Sequence, residues 1–359
     1  MRRRRRLIIA LAVLLVVAAL AAVVVMRKKA PPESVQLLPD AEAVVHVNFR
    51  LMRRLGAMEG FSESVPEEEY KTFVQATGIR FERDLDEMSI AVHAPAAPPA
   101  RTGATTGDNK GARGRGTRPE EAVAAEAEGE TRFSHVFVGR YDSAKLAAYL
   151  KKLAVASEKY RDLEILLIPS EERTVRAAIL GVDTVAVSNA ESGQPIRDII
   201  DHYKARAAPY AGPALVREYY PRVPRGSLVW AMARWSEGKQ PVALGGPLEL
   251  TLPAGVAWVG SLRFLLGDVQ LRVEAHAGSE VEARQVSDQL TNLLTLYRNL
   301  WGAQVADPDL QALIQSVEVR QEQQRAVVTA SLSQALLKKA LGEPAAPPAP
   351  AVEEKPAGK

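Results

Sequence analysis

The sequence predicts an α+β chain: two related modules, each an antiparallel sheet with helices on one face, plus an N-terminal transmembrane helix. Three observations predict it. Residues 7–25 run for nineteen positions without a polar side chain. From residue 37 to 342, short β-branched runs of period two alternate with segments of period 3.6. The order of those segments occurs twice along the chain.

The anchor comes first. Leu7, Leu14 and Val25 mark its start, middle and end, and it contains neither Pro nor Gly. At about 1.5 Å rise per residue such a helix spans roughly 28 Å, close to a hydrocarbon core of about 30 Å. A helix also satisfies its backbone polar groups internally, as a bilayer requires. A cleaved signal peptide has an apolar region of about 7–15 residues and a small-residue cleavage site. Here the run is longer and ends in Val23, Val24, Val25 and Met26 before three cations, so a retained signal-anchor is expected. Arg2, Arg3, Arg4, Arg5 and Arg6 precede it, and Arg27, Lys28 and Lys29 follow. The excess on the N-terminal side predicts a cytoplasmic N-terminus and a body, residues 30–359, outside the cytoplasmic membrane. The arginine run is thus read as a topology signal.

Charge supports that reading. The chain carries 46 basic and 43 acidic residues, net +3. Eight of the basic residues and no acid fall in residues 1–30, so the remainder is mildly acidic, 38 against 43. No global field draws nucleic acid to that body, and no nucleic-acid partner is expected. The chain has no cysteine, which excludes disulfides, thiolate ligands, thiol nucleophiles and a lipidated N-terminus.

Residues 30–36 read as a stalk. The first module, 37–207, opens on a strand at 44–49, with Val45, Val47 and Phe49 alternating against Val44, His46 and Asn48. A helix at 67–77 and a strand at 88–93 follow. Residues 94–131 are rich in Ala, Pro, Gly, Arg and Glu with almost no large apolar side chain, which predicts a disordered insertion. Its length is tolerable because loop-closure entropy grows only logarithmically. After a strand at 133–138, Asp142 is the expected N-cap of a helix reaching about residue 160, with Leu146, Leu150 and Leu153 on its buried face. Runs at 163–168, 175–180 and 184–187 predict a meander. A helix at 195–206 puts Ile196, Ile199 and Ile200 on one face.

The second module, 213–342, repeats that order. A strand at 227–235 precedes two strands around Gly267 and Asp268, a strong hairpin signal. Ser279 and Glu282 form a capping box opening a long amphipathic helix. Asp307 and Pro308 open a shorter helix. Strands at 317–319 and 326–331 and a helix at 333–341 close the module. Residues 343–359 read as a disordered Pro/Ala-rich tail.

Chemistry-bearing patterns are sparse. His46, His93, His135 and His276 fall on strands and His202 on a helix; none is paired at ligand spacing, and no metal is expected. Residues 60–64 lack the final glycine of a nucleophile elbow, and neither a P-loop nor a dinucleotide fingerprint occurs. The Arg-Gly tract at 111–116 reads as a solvated loop. Glu67, Glu68 and Glu69 suit a helix's first turn, and Asp84, Asp86 and Glu87 an exposed turn. Trp230 and Trp258 are expected in the core, with Tyr219 and Tyr220 packing between modules. Arg234 and Trp235, at a strand end, are the candidate exposed contact.

Leu37-Leu38-Pro39-Asp40 followed by the apolar run 43–49, and Gly181-Val182-Asp183-Thr184-Val185-Ala186-Val187-Ser188 followed by a helix at Pro195, carry one resemblance. The chain resembles an uncharacterised family of bacterial single-pass membrane-anchored proteins with repeated α+β modules, a domain of unknown function. The resemblance implies no catalytic residue. The functional expectation is a membrane-tethered, non-enzymatic scaffold or interaction protein of the cell envelope. It needs no cofactor, and its partners are the bilayer and an envelope protein. The alternatives are a hydrolase-like envelope enzyme and a small-ligand sensor using the inter-module cleft.

Overall fold

The computed structural model describes residues 30–56, 68–93, 132–170, 173–205, 212–234, 240–243, 249–252, 254–265, 267–300, 305, 307–333 and 336. The expected anchor with Arg2 to Arg6, Leu7, Leu14 and Val25, the insertion 94–131, Trp235 and the tail 343–359 lie outside them. So does nearly all of the helix expected at 333–341. Among the described residues no helix is long and apolar enough to cross a membrane.

The described part opens with a single turn, α1 (Glu33–Gln36), and strand β1 (Ala43–Val47). Asn48 then caps α2 (Phe49–Arg54), its Oδ1 accepting from the Leu51 N–H at 2.8 Å. Helices α3 (Glu68–Thr77) and α4 (Phe81–Asp84) precede strands β2 (Leu85–His93) and β3 (Arg132–Gly139). Asp142 caps α5 (Ser143–Leu153) as expected, accepting from the Ala144 and Lys145 N–H groups at 3.0 and 3.1 Å. A meander of β4 (Ala156–Tyr160), β5 (Leu163–Ser170), β6 (Arg173–Ile179) and β7 (Thr184–Ser188) leads to α6 (Gln194–Lys204). The second half contains α7 (Ala214–Tyr219), a 3-10 turn (Tyr220–Arg222), β8 (Ser227–Arg234) and a small hairpin, β9 (Gln240–Ala243) with β10 (Glu249–Leu252). Then come β11 (Ala257–Leu265), β12 (Asp268–His276), α8 (Glu280–Leu300), α9 (Pro308–Ser316), β13 (Glu318–Glu322) and β14 (Arg325–Leu332). The β11–β12 hairpin closes on the Leu265–Asp268 pair, with Gly267 at φ +100°. Ser279 accepts from the Glu282 N–H at 3.2 Å, while the Glu282 carboxylate reaches back to the Gly278 N–H.

All large strands join one antiparallel sheet, in the order β13-β14-β12-β11-β8-β1-β2-β3-β7-β6-β5-β4. The seam is β1 against β8, registered from Ala43–Ala233 to Val47–Val229. From that seam the two arms run alike. In each, the third strand (β3 or β12) is followed by helix, the chain re-enters at the outer edge (β4 or β13), and hairpins return it to pair with the third strand. The edges β4 and β13 are short and charged, which discourages pairing with another chain.

Register fixes the faces. Val136, Ser89, His46, Trp230, Ser261 and Arg272 are successive cross-strand partners and so share one face. Over the first arm that face is covered by Ile196, Ile199 and Ile200 of α6, all 0% exposed, with Val35, Leu38, Leu215 and Val216. The opposite face carries α2, α3 and α5 on Phe137, Val185 and Val187, and α8 on Trp258, Ala275 and Ala326. Helices therefore lie on both faces, a correction to the single covered face expected. The reason is local: Thr184, Val185 and Ala186 are buried consecutively, so β7 is apolar on both sides and needs cover on both.

Two further expectations change. The helix from Asp142 ends at Leu153, not near residue 160, because residues 156–160 pair with β5 through a two-residue turn. Arg161 and Asp162 hold φ of 48° and 65° there, the left-handed pair such a hairpin requires. Nor is 30–36 a stalk: Ser34 and Val35 are fully buried, so ordered packing starts before Leu37. Asp142→Ala, which removes two accepted N–H bonds at the start of α5, is expected to lower stability by about 1 kcal/mol in urea unfolding. An unchanged midpoint would show that the cap contributes nothing.

Candidate functional site

The candidate site grows from the seam. His46 of β1 stands opposite Ser89 of β2 and Trp230 of β8, and all three point to the same face. His46 Nδ1 is 3.0 Å from Ser89 Oγ. Ser89 Oγ donates to Ser34 Oγ at 2.8 Å, and Ser34 Oγ donates to Glu87 Oε2 at 3.0 Å. Each hydroxyl has one proton, and both are engaged. The Ser89 oxygen can therefore only accept from the imidazole, which places the ring proton on Nδ1 and leaves Nε2 as an acceptor. Burial lowers the His46 pKa to about 4, so the ring is neutral near pH 7. Burial raises Glu87, against the Ser34 hydrogen bond and the nearby Arg50 charge, which pull it down. Ser34 and Ser89 are 0% exposed.

The His46 ring sits 5.4 Å from the Trp230 ring, and Trp230 5.6 Å from Tyr220. These three rings wall a cavity of about 360 Å³ between β1, β8 and the loop of residues 220–227. Asn48 and Ser227 supply further polar groups, and among the described residues Arg225 is the one charged side chain lining it. Ser227 Oγ already donates to the Pro224 carbonyl at 2.6 Å. Asn48 Oδ1 accepts one bond from the α2 cap, and its two amide N–H donors remain to be offered.

A second cluster lies on the same face of the other arm. Glu274, its side chain 5% exposed, meets Arg272 Nε at 2.7 Å, Arg325 Nη1 at 3.0 Å and His276 Nε2 at 3.1 Å. Arg325 also pairs with Glu322 at 2.6 Å. Burial pushes the Glu274 carboxyl up, but His276 and the two guanidiniums outweigh it and hold the group at about 2. Beside it, Tyr219 packs 5.0 Å from His276, and Arg234 lies 5.1 Å above the Tyr219 ring. Arg234 also bonds Glu218 at 3.0 Å and the Tyr219 hydroxyl. The candidate contact Arg234 thus has partners within the fold while its side chain stays 36% exposed, and its companion Trp235 lies outside the described residues.

The remaining sequence candidates are dispersed. His93 bonds Ser134 Oγ at 2.9 Å, and His202 Nδ1 donates to the Leu37 carbonyl at 3.0 Å. His135 is held between Phe133 and Phe137 at 4.6 and 5.6 Å, and burial lowers it to about 4. Among the described residues no group of three or more His, Asp or Glu is placed to hold a metal ion. Asp86 and Glu87 do not form the exposed turn expected. A register shift between Leu85 and Glu87 turns both inward, Asp86 to Arg50 and Arg53, and Glu87 to Ser34. Two adjacent acids at the start of an apolar strand were the available signal. Ser34 carried none.

No protein-family model matches the chain, and no curated protein matches it. Three crystal forms of TP0453 are similar in structure. Form III has a TM-score of 0.44 and 11% identity over 86% of this chain and 97% of that one. Form IV has 0.44 and 13% over 88% and 98%. Form I has 0.45 and 11% over 86% and 96%.

Ser89→Ala is expected to cost about 1–3 kcal/mol, because it leaves both His46 Nδ1 and Ser34 Oγ short of a buried partner. The same substitution frees the ring to exchange tautomers. Nitrogen NMR of labelled histidine reads this directly, as Nδ1 and Nε2 resonances that move toward each other. Resonances that stay apart would mean that something other than Ser89 sets the tautomer.

Proposed function

We propose that the chain is a membrane-tethered, non-enzymatic interaction protein of the bacterial cell envelope. Its body comprises two related α+β modules, 37–207 and 213–342, joined through β1 and β8. The like course of the two arms outward from that seam supports the relatedness. The apolar run 7–25 and its basic flanks support the tether and its direction, with the N-terminus cytoplasmic. They also support the likeness to the family of membrane-anchored proteins with repeated modules.

The observation that carries the non-enzymatic reading is the order of the polar chain, Glu87–Ser34–Ser89–His46. In a nucleophilic triad the carboxylate orients the imidazole and the imidazole takes the serine proton. Here the carboxylate ends on a hydroxyl, both hydroxyl protons point away from the imidazole, and both serines are sealed from solvent. Such a chain fixes a ring and delivers no nucleophile. One observation favours a second reading, a small-ligand sensor: the walled cavity at the seam itself.

The test uses the full-length chain in bacterial membranes. Carbonate washing is expected to leave it in the pellet, and protease added to spheroplasts to digest residues 30–359. A chain that washes off, or is digested only after lysis, overturns the tether or its direction. A photocrosslinker at Arg225 is expected to trap an envelope component. Turnover of ester or glycoside substrates that disappears in His46→Gln would overturn the non-enzymatic reading.

A further inference from the structure

We propose that the seam cavity binds a hydroxylated ring bearing a negative charge, an acidic saccharide unit, with one ring hydroxyl donated to His46 Nε2 and the ring packed against Tyr220 and the prolines of the lining. This rests on the binding reading above and adds the ligand class. The argument starts from the tautomer. With the proton on Nδ1, the one polar atom the imidazole can show the cavity is a lone pair. Among the described residues no partner bonds Nε2, and it is not one of the buried nitrogens cut off from both solvent and partners. The imidazole therefore selects a donor, O–H or N–H. Asn48, which lines the same cavity, adds amide N–H donors of the opposite polarity. A donor and an acceptor in one cavity match a group that both gives and takes a hydrogen bond, which is what a hydroxyl does.

The walls and the charge narrow the class. Tyr220, three prolines and the edge of the nearly buried Trp230 give the cavity an apolar, partly aromatic lining that suits the C–H face of a saturated ring. A cationic amine would also suit π-faces. Charge disfavours it: among the described residues no carboxylate lines the cavity, and the one formal charge there is the exposed Arg225 guanidinium, which no described residue pairs. An anionic substituent on the ring, carboxylate or phosphate, complements Arg225 bidentately. A volume of about 360 Å³ holds one such ring rather than a peptide or an acyl chain. A free uronic acid and the acidic end of an envelope glycan share this chemistry.

The full-length chain in detergent micelles, with nitrogen-labelled histidine, tests this at pH 7.5. The probes are glucuronate, glucose, glucosamine and a tri-galacturonate. Glucuronate is expected to shift the His46 Nε2 resonance saturably and to perturb tryptophan fluorescence. Glucose is expected to bind about tenfold more weakly, and glucosamine more weakly still. Arg225→Gln, a surface change, is expected to bring glucuronate down to the level of glucose while leaving the Nε2 shift at saturation. His46→Phe is expected to remove that signal and most of the affinity. Tri-galacturonate binding more tightly than glucuronate marks a glycan end as the source; equal or weaker binding marks the free acid. The proposal is overturned if glucosamine binds as well as glucuronate, or if none of the sugars binds saturably. If no sugar binds while the Arg225 photocrosslinker still traps an envelope component, this proposal fails and the interaction reading stands. If neither occurs, both fail.

Discussion

The double substitution Arg272→Met/Arg325→Met is expected to destabilise the folded chain by about 3–5 kcal/mol, the effect of leaving a buried carboxylate without its cations. Glu274 is held by both guanidiniums and is nearly inaccessible, so water cannot replace them. Adding Glu274→Met should restore most of that loss, because an apolar side chain of similar size has no charge to strand. The comparison is made by urea unfolding at neutral pH. If the double substitution costs less than about 1 kcal/mol, the cluster is solvent-screened and the geometry overstates it. Acid provides an independent check. The Glu274 pKa is depressed in the folded chain, from 4.5 to about 2. Its contribution is therefore fully present above pH 4.5 and is lost as pH falls toward 2. That segment of the acid-unfolding curve should be shallower in the triple variant.

Ile199→Ala is expected to cost about 4 kcal/mol and Leu146→Ala about 2–3 kcal/mol, both measured by equilibrium unfolding. The two residues report on opposite faces of the sheet. Ile199 of α6 is fully buried against β6 and β7 in the main core, so truncation leaves a closed cavity. Leu146 of α5 packs against the other face beside an apolar gap of about 170 Å³ that it already lines with Phe73, Phe137 and Val185. Removing it enlarges a space that is already imperfectly filled, so fewer contacts are lost. Equal losses at the two sites would mean that α3 and α5 pack as tightly as α6.

Much of the local structure was legible. Asp142 and Asp307 announced helix starts, and both accept the N–H groups that a cap must satisfy. Gly267 announced the β11–β12 hairpin, and the Ile196, Ile199 and Ile200 spacing announced the buried face of α6. Residues 156–160 were misread because Ala, Ser, Glu and Lys suit a helix, and only pairing with β5 makes them a strand. The candidate site was almost wholly illegible. Ser34, Glu87, Ser89 and His46 are ordinary residues in sequence, and the hydrogen bonds that join them span 43 to 55 positions.

By itself, then, the sequence determined the mixed α+β class, the period and facing of most elements, the caps and the turns. It also determined that the positive net charge belongs to residues 1–30 and that no thiol chemistry exists. Tertiary structure alone decided that the two halves share one sheet through β1 and β8, that helices cover both faces, and that a neutral imidazole and two aromatic rings meet over a cavity at the seam. The physical reason is that periodicity reports which way a side chain points relative to its own element. Which strand lies alongside, and in which register, is settled by packing and hydrogen bonding between segments far apart in the chain.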